Sequence, residues 1–275
     1  MKIKTDKINI RVKDGVKMQF YEFGKEGNLT VLLIHGTASS WQGEFAEVVD
    51  GLAEDYRIIC VGFDGHDKND HNTFRHINDQ ILGIEKYIKE HYNGHLYGVY
   101  GSSLGGSVLG KLLERNNVQI DIAITGSTDF EQKANPWATL SAALITPLFY
   151  YLIKAKHPIK ILRNFLDKMY GDSSKVLGVM YKGISYKSLY NVYYTDLVTP
   201  VADNIVPQNT KIYCTYGTKE DTKTLTRRYI QHFPKAELVA LGGMHHEEFL
   251  IFNPDEWIDM MKHLLKRETY SYPNG

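Results

Sequence analysis

The sequence predicts an α/β fold, a mostly parallel sheet with helices on both faces. Three observations lead there. Short apolar runs alternate with helical stretches along most of the 275 residues, the pattern of successive βα units. The central runs are apolar at consecutive positions, as in strands covered on both faces, where antiparallel strands would alternate. One long segment, about 127–206, shows helical patterns and no strand, and reads as an insertion between two strands.

In chain order, 7–12 and 18–23 read as two strands joined at Asp14-Gly15, a hairpin signal. The run 29–34 ends at His35-Gly36, and 56–63 is the next buried strand. Ile77, Ile81, Ile84 and Ile88 fall at spacings of four, three and four, which makes one helical stripe, and Asn93-Gly94 stops it. A strand at 96–100 and a helix at 104–113 follow, then a strand at 120–125. After the insertion come a strand at 211–216, a helix at 222–232, a strand at 237–241 and a helix at 255–266, entered through Pro254. The predicted division is a core of 1–126 and 207–275 carrying a helical cap of 127–206.

Hydrophobic residues make up 43% of the chain, enough for a core. Lysine plus arginine equals aspartate plus glutamate, at 32 each, so no global field draws the chain to nucleic acid or to an anionic membrane. The expected partner is a small-molecule substrate; the oligomeric state is not legible. Cys60 and Cys214 each sit in a strand-like run and read as buried structural thiols. The N-terminus alternates charged with apolar residues and lacks the continuous apolar stretch of a signal peptide, so the expected location is the cytoplasm. The uncharged run 138–153 is shorter than the roughly 20 residues of a membrane span and contains Pro147, so a span is not expected.

The sharpest chemical signal is Gly101-Ser102-Ser103-Leu104-Gly105-Gly106, a G-x-S-x-G between a predicted strand and a predicted helix. A nucleophilic serine there stands on a tight, strained turn, which closes only if the residues two before and two after are small. The helix that follows aims its first amides at the place where negative charge develops. A P-loop would need Gly-Lys-Ser/Thr, and a dinucleotide fingerprint would open the first βα unit; neither is present.

This motif and its setting resemble the α/β-hydrolase superfamily over nearly the full chain. His35-Gly36-Thr37 is similar to the family's His-Gly oxyanion loop, so the resemblance implies an oxyanion hole at the backbone amides of Thr37 and Leu104. His35 is expected to brace that loop. Phe63-Asp64-Gly65-His66-Asp67 resembles a loop whose acid and histidine shape the backbone. The spacing of His66, Asp67, Asp70, His71 and His76 fits no zinc pattern, and no metal or cofactor is implied.

The family order is serine, acid, histidine. Gly242-Gly243-Met244-His245-His246, followed by Pro254-Asp255-Glu256, resembles the segment that carries the family's histidine. Aligned on it, the base is His246, with His245 as the rival. The acid is expected after the strand 211–216, where Gly217-Thr218-Lys219-Glu220-Asp221 offers Glu220 or Asp221; Asp129, after 120–125, is a third candidate. The expected chemistry is a two-step acyl transfer through Ser103. Its expected substrate is a small neutral, fairly apolar carboxylic ester or thioester, under an apolar cap rich in tyrosine. The alternatives are a non-catalytic small-molecule binding protein or receptor on this scaffold, and a carbon–carbon bond hydrolase or peptidase of the same superfamily.

Overall fold

The computed structural model describes residues 6–11, 17–70, 72–270 and 272. The Asp14-Gly15 turn lies outside them. Eight strands form one sheet: β1 (Asp6–Arg11), β2 (Lys17–Phe23), β3 (Thr30–Ile34), β4 (Arg57–Gly62), β5 (His95–Ser102), β6 (Gln119–Gly126), β7 (Lys211–Gly217) and β8 (Glu237–Leu241). Their spatial order is β1-β2-β4-β3-β5-β6-β7-β8. The first two strands enter antiparallel, and every pairing from β4 to β8 is parallel.

The helices are α1 (Trp41–Glu44), α2 (Val49–Ala53), α3 (Ile77–His91), α4 (Leu104–Arg115), α5 (Asn135–Lys154), α6 (Lys160–Tyr170), α7 (Ser173–Val179), α8 (Tyr186–Leu197), α9 (Thr222–His232), α10 (Glu248–Phe252) and α11 (Pro254–Leu265). Outside the segment 127–206, for which the sequence places no individual helix, the long elements fall within a few residues of the expected runs. The short helices α1, α2 and α10 were not expected: four or five residues are too few to show a 3.6-residue period. Asn93 and Gly94 both have positive φ and end α3.

Alternate residues of β3 and β4 serve opposite cores. Leu32, Ile34, Ile59 and Val61 pack with Ile81 and Ile84 of α3, Leu109 of α4 and Tyr229 of α9. Val31, Leu33, Ile58 and Cys60 pack with Leu52 of α2 and with Trp257, Met260 and Leu264 of α11. The consecutive apolar residues in the sequence are this two-sided burial. Cys60 and Cys214 are free and buried within it.

The order around β3 positions the site. The chain leaves β3 through α1 and α2 on one face, returns along β4, and passes through α3 to β5 on the other side of β3. The helices after β3 and β5 thus pack against opposite cores. The carboxyl ends of two such strands flank a crevice, where open α/β sheets bind ligands.

Between β6 and β7 run α5, α6, α7 and α8. They share a smaller core that includes Phe149, Leu152, Ile153, Leu166 and Leu189, closed by Ala38 from the loop after β3. The uncharged run 138–153 belongs to the 20-residue helix α5, which contains Pro147. Proline has no N–H and ordinarily breaks a helix interior.

Candidate active site

Ser103 stands between β5 and α4 with φ 48° and ψ −110°. Positive φ costs a non-glycine residue on the order of 1–3 kcal/mol and persists only where the surroundings impose it. Here the glycines allow those surroundings. A Cβ at Gly101 would overlap the Gly105 carbonyl, one at Gly105 the Ile34 carbonyl, and one at Gly106 the Thr128 hydroxyl. The turn is clamped besides: the Ser103 amide donates to Gly126 O at 2.8 Å, and Thr128 Oγ1 donates to Ser103 O at 3.1 Å.

His246 comes from the loop after β8. Its Nε2 lies 3.2 Å from Ser103 Oγ, and its Nδ1 lies 2.9 Å from Glu220 Oε2. The other oxygen, Glu220 Oε1, accepts from the Gly217 amide at 2.7 Å and from Ser127 Oγ at 2.8 Å. Serine, histidine and carboxylate therefore form one hydrogen-bonded chain across the ends of β5, β8 and β7.

The hydrogen bonds separate the candidate residues, and Asp221 stands apart from the chain through His246. It is exposed and caps α9, accepting from the Thr224 amide at 3.2 Å and the Thr224 hydroxyl at 2.7 Å. An acid one residue earlier, inside the turn, reaches the ring instead. Asp129 is also exposed and accepts from the Glu131 amide at 2.9 Å. It is the His246 ring that reaches Ser103, while the His245 amide donates to Glu248 at 2.7 Å.

Charge follows the geometry. Burial by itself would lower the His246 pKa, but the Glu220 hydrogen bond and charge, with Glu247 and Asp129 adding to them, raise it from 6.5 to about 9. Burial would raise the Glu220 pKa; the bonds from His246, Gly217 and Ser127 outweigh it and hold the carboxyl below its ordinary value. The pair is thus poised as imidazolium and carboxylate.

The loop after β3 is braced from within. His35 is fully buried; its Nε2 accepts from the Phe63 amide at 3.3 Å, so its Nδ1 donates to Gly36 O at 2.9 Å. Burial lowers its pKa to about 3, which keeps the ring neutral. Leu104 is the first residue of α4, so its amide has no acceptor within the helix. A Cβ at Gly36 would lie 3.4 Å from Ser102 Oγ, and Thr37 is the next residue of this loop. Asp64 and His66 shape their loop: Gln80 donates to Asp64 at 2.9 Å, and His66 Nδ1 bonds Asp64 O at 2.9 Å. Asp67 accepts from the Tyr21 hydroxyl at 2.6 Å.

Sequence reasoning missed four residues. Ser127 links Glu220 to the backbone amide of Glu247. Tyr170, the last residue of α6, sets its ring edge-on to His246 with centroids 5.5 Å apart. Glu247 and Glu44 are buried acids behind the elbow. Nothing local marked them, because burial of an acid depends on what folds over it.

Glu44 accepts the Gly36 amide at both oxygens, at 3.2 and 3.0 Å. Burial, with the charge of Glu247 behind it, raises its pKa from 4.5 to about 8. The folded chain therefore holds a proton here that the unfolded chain releases above pH 4.5. This group's contribution falls as pH rises from about 4.5 to about 8. Glu44→Gln keeps the shape and removes the titration. Urea unfolding at a series of pH values should find the mutant's stability less pH-dependent in that window; parallel curves would contradict the assignment.

A model of the alpha/beta hydrolase family matches residues 31–260. The chain belongs to that family. Among solved structures, a thermophilic esterase from Thermogutta terrifontis is similar at 14% identity and TM-score 0.75, over 95% of this chain and 98% of that one. A serine hydrolase from the polyaromatic-hydrocarbon-degrading Cycloclasticus zankles is similar at 15% identity and TM-score 0.71, over 96% and 98%. An alpha/beta hydrolase family protein from Desulfitobacterium hafniense aligns at 16% identity and TM-score 0.76, over 90% and 99%. At these identities the likeness is one of fold. A search of curated proteins finds no match.

Proposed function

We propose that this hydrolase cleaves a small neutral, fairly apolar carboxylic ester or thioester through an acyl-enzyme on Ser103. The observation that carries the reading is the continuous chain Ser103–His246–Glu220. Neutral His246 takes the Ser103 proton as Oγ attacks the carbonyl, and Glu220 holds the ring in place and stabilises the imidazolium. The amides of Thr37 and Leu104 donate to the oxyanion; the second lies at the start of α4, where the helix dipole favours negative charge. Imidazolium then protonates the leaving alkoxide or thiolate, which departs as alcohol or thiol, and neutral His246 activates water to release the acid.

In this reading α5–α8 act as a cap. The support is contact at the site: Tyr170 lies against His246, and the Tyr181 amide donates to Ala38 O at 2.8 Å, in the loop that carries Thr37. Walls of tyrosine and aliphatic side chains would keep water from the acyl-enzyme and accept an apolar acyl group.

The test is labelling with a fluorophosphonate, peptide mapping, and a panel of p-nitrophenyl esters from short to medium chain. The expected result is label on Ser103, absent in His246→Ala, with turnover that ranks the chain lengths. A folded protein that takes no label and turns over no ester or thioester would be a binding protein on a hydrolase scaffold.

A further inference from the structure

The chain is neutral overall, but its charge is not evenly spread. Between Lys154 and Tyr170 stand Lys154, Lys156, Lys160, Arg163 and Lys168, against one acid, Asp167. Asp167 already accepts the Ser173 amide at 2.8 Å. Lys156, Lys160 and Lys168 make no ion pair among the described residues.

Large apolar side chains face solvent on the same two helices. On α5, Trp137 is 65% exposed, Leu140 48% and Leu144 68%, at spacings of three and four, which is one helical stripe. On α6, Ile161 is 73% exposed and Phe165 45%, again one turn apart. The opposite stripe of α5, Ala138, Ala142, Thr146, Phe149 and Ile153, is buried against the protein. By length and composition α5 is apolar enough to cross a membrane, yet that buried stripe fixes it flat on the molecule. Exposed apolar side chains gathered on one helical stripe mark an interaction site. Apolar side chains flanked by lysine and arginine are the composition of helices that lie in a lipid interface, with the long basic side chains reaching the headgroups.

We propose that the outer faces of α5 and α6 dock the protein on an anionic lipid surface. The apolar side chains enter the headgroup boundary, and the basic cluster from Lys154 to Lys168 pairs with lipid phosphates. Charge complementarity selects this occupant: a second copy would bring the same five cations against themselves, whereas an anionic bilayer attracts each of them. Tyr170, the last residue of α6, rests against His246. The docking stands independently of what Ser103 cleaves.

The test uses the full chain carrying Ser103→Ala, so that binding is read without turnover. It is sedimented with vesicles of phosphatidylcholine alone and of phosphatidylcholine with phosphatidylglycerol, at low and high salt. Binding to the mixed vesicles is expected, weakened by salt, with little on phosphatidylcholine alone. Lys156→Glu with Lys160→Glu should weaken binding by at least about tenfold, at roughly 1 kcal/mol for each basic residue near the surface. Both positions are exposed, and circular dichroism checks the fold. Tryptophan emission should shift to the blue on adding mixed vesicles and fail to do so in Trp137→Phe, since Trp257 is already 1% exposed and Trp41 is packed against Tyr21 and Phe23. Failure to bind either vesicle would overturn the proposal. So would equal, salt-independent binding to both, or a dimer in sedimentation velocity that Leu144→Ser dissolves.

Discussion

Ser103→Ala should lower kcat/KM on the best ester by about 10⁵–10⁶-fold while the fold and thermal midpoint stay near those of the parent. The alanine removes one hydroxyl from a turn held through the backbone, by the close approach of Gly101 to Gly105 and by the Ser103 amide on the Gly126 carbonyl. It removes the nucleophile outright, and what remains is rate enhancement from binding and oxyanion donors. His246→Ala should lose about as much, because Ser103 Oγ without a base is a neutral alcohol. The decisive measurement is the double variant. Residues that act as one unit do not lose activity multiplicatively, so Ser103→Ala with His246→Ala should be no slower than either alone. Losses that multiply would mean the two residues act separately, and the chain of hydrogen bonds would not be the catalytic device.

The second large effect belongs to Glu220. Glu220→Gln keeps the size of the side chain but takes away the negative charge at His246 Nδ1, and should lower kcat by about 10⁴-fold. Its pH profile separates orientation from charge. His246 accepts a proton only when neutral, and its pKa stands near 9, so kcat/KM of the parent should rise with pH toward that value. The Glu220 carboxylate is the principal group holding the proton on the ring, opposed by burial. Without it the rising limb should move to lower pH even as its plateau drops. Asp221→Asn is the control: it should keep near-parental kcat and pH profile, since an asparagine can still cap α9. An unmoved limb in Glu220→Gln, or a moved one in Asp221→Asn, would transfer the role of acid away from Glu220.

How far the site was legible depends on the residue. Ser103 was legible because its constraint is local. A tight strand–helix turn demands small residues at fixed offsets, and Gly101 and Gly105 stand in the sequence at those offsets. His246 was legible from its place after the last strand and before Pro254, although His245 lay beside it. The acid was not decided, since Glu220 and Asp221 are neighbours with the same charge and both suit a helix start. The turn after β7 decides between them, pointing Glu220 inward to the ring and to the Gly217 and Ser127 donors and leaving Asp221 to cap α9.

The sequence alone determined the alternation of strands and helices, the two-sided burial of the parallel strands and the tight turn at Ser103. Each is written in spacing over a few residues, where backbone geometry acts directly on side-chain pattern. Only the tertiary structure decided which acid meets His246, that Glu44 and Glu247 lie buried behind the elbow, and which side of α5 faces outward. Those depend on residues far apart in the chain. Glu44 is an ordinary polar residue until Gly36 and Ser102 fold over it. The uncharged run 138–153 looks apolar on every side until Phe149 and Ile153 find their partners, leaving Leu140 and Leu144 in solvent.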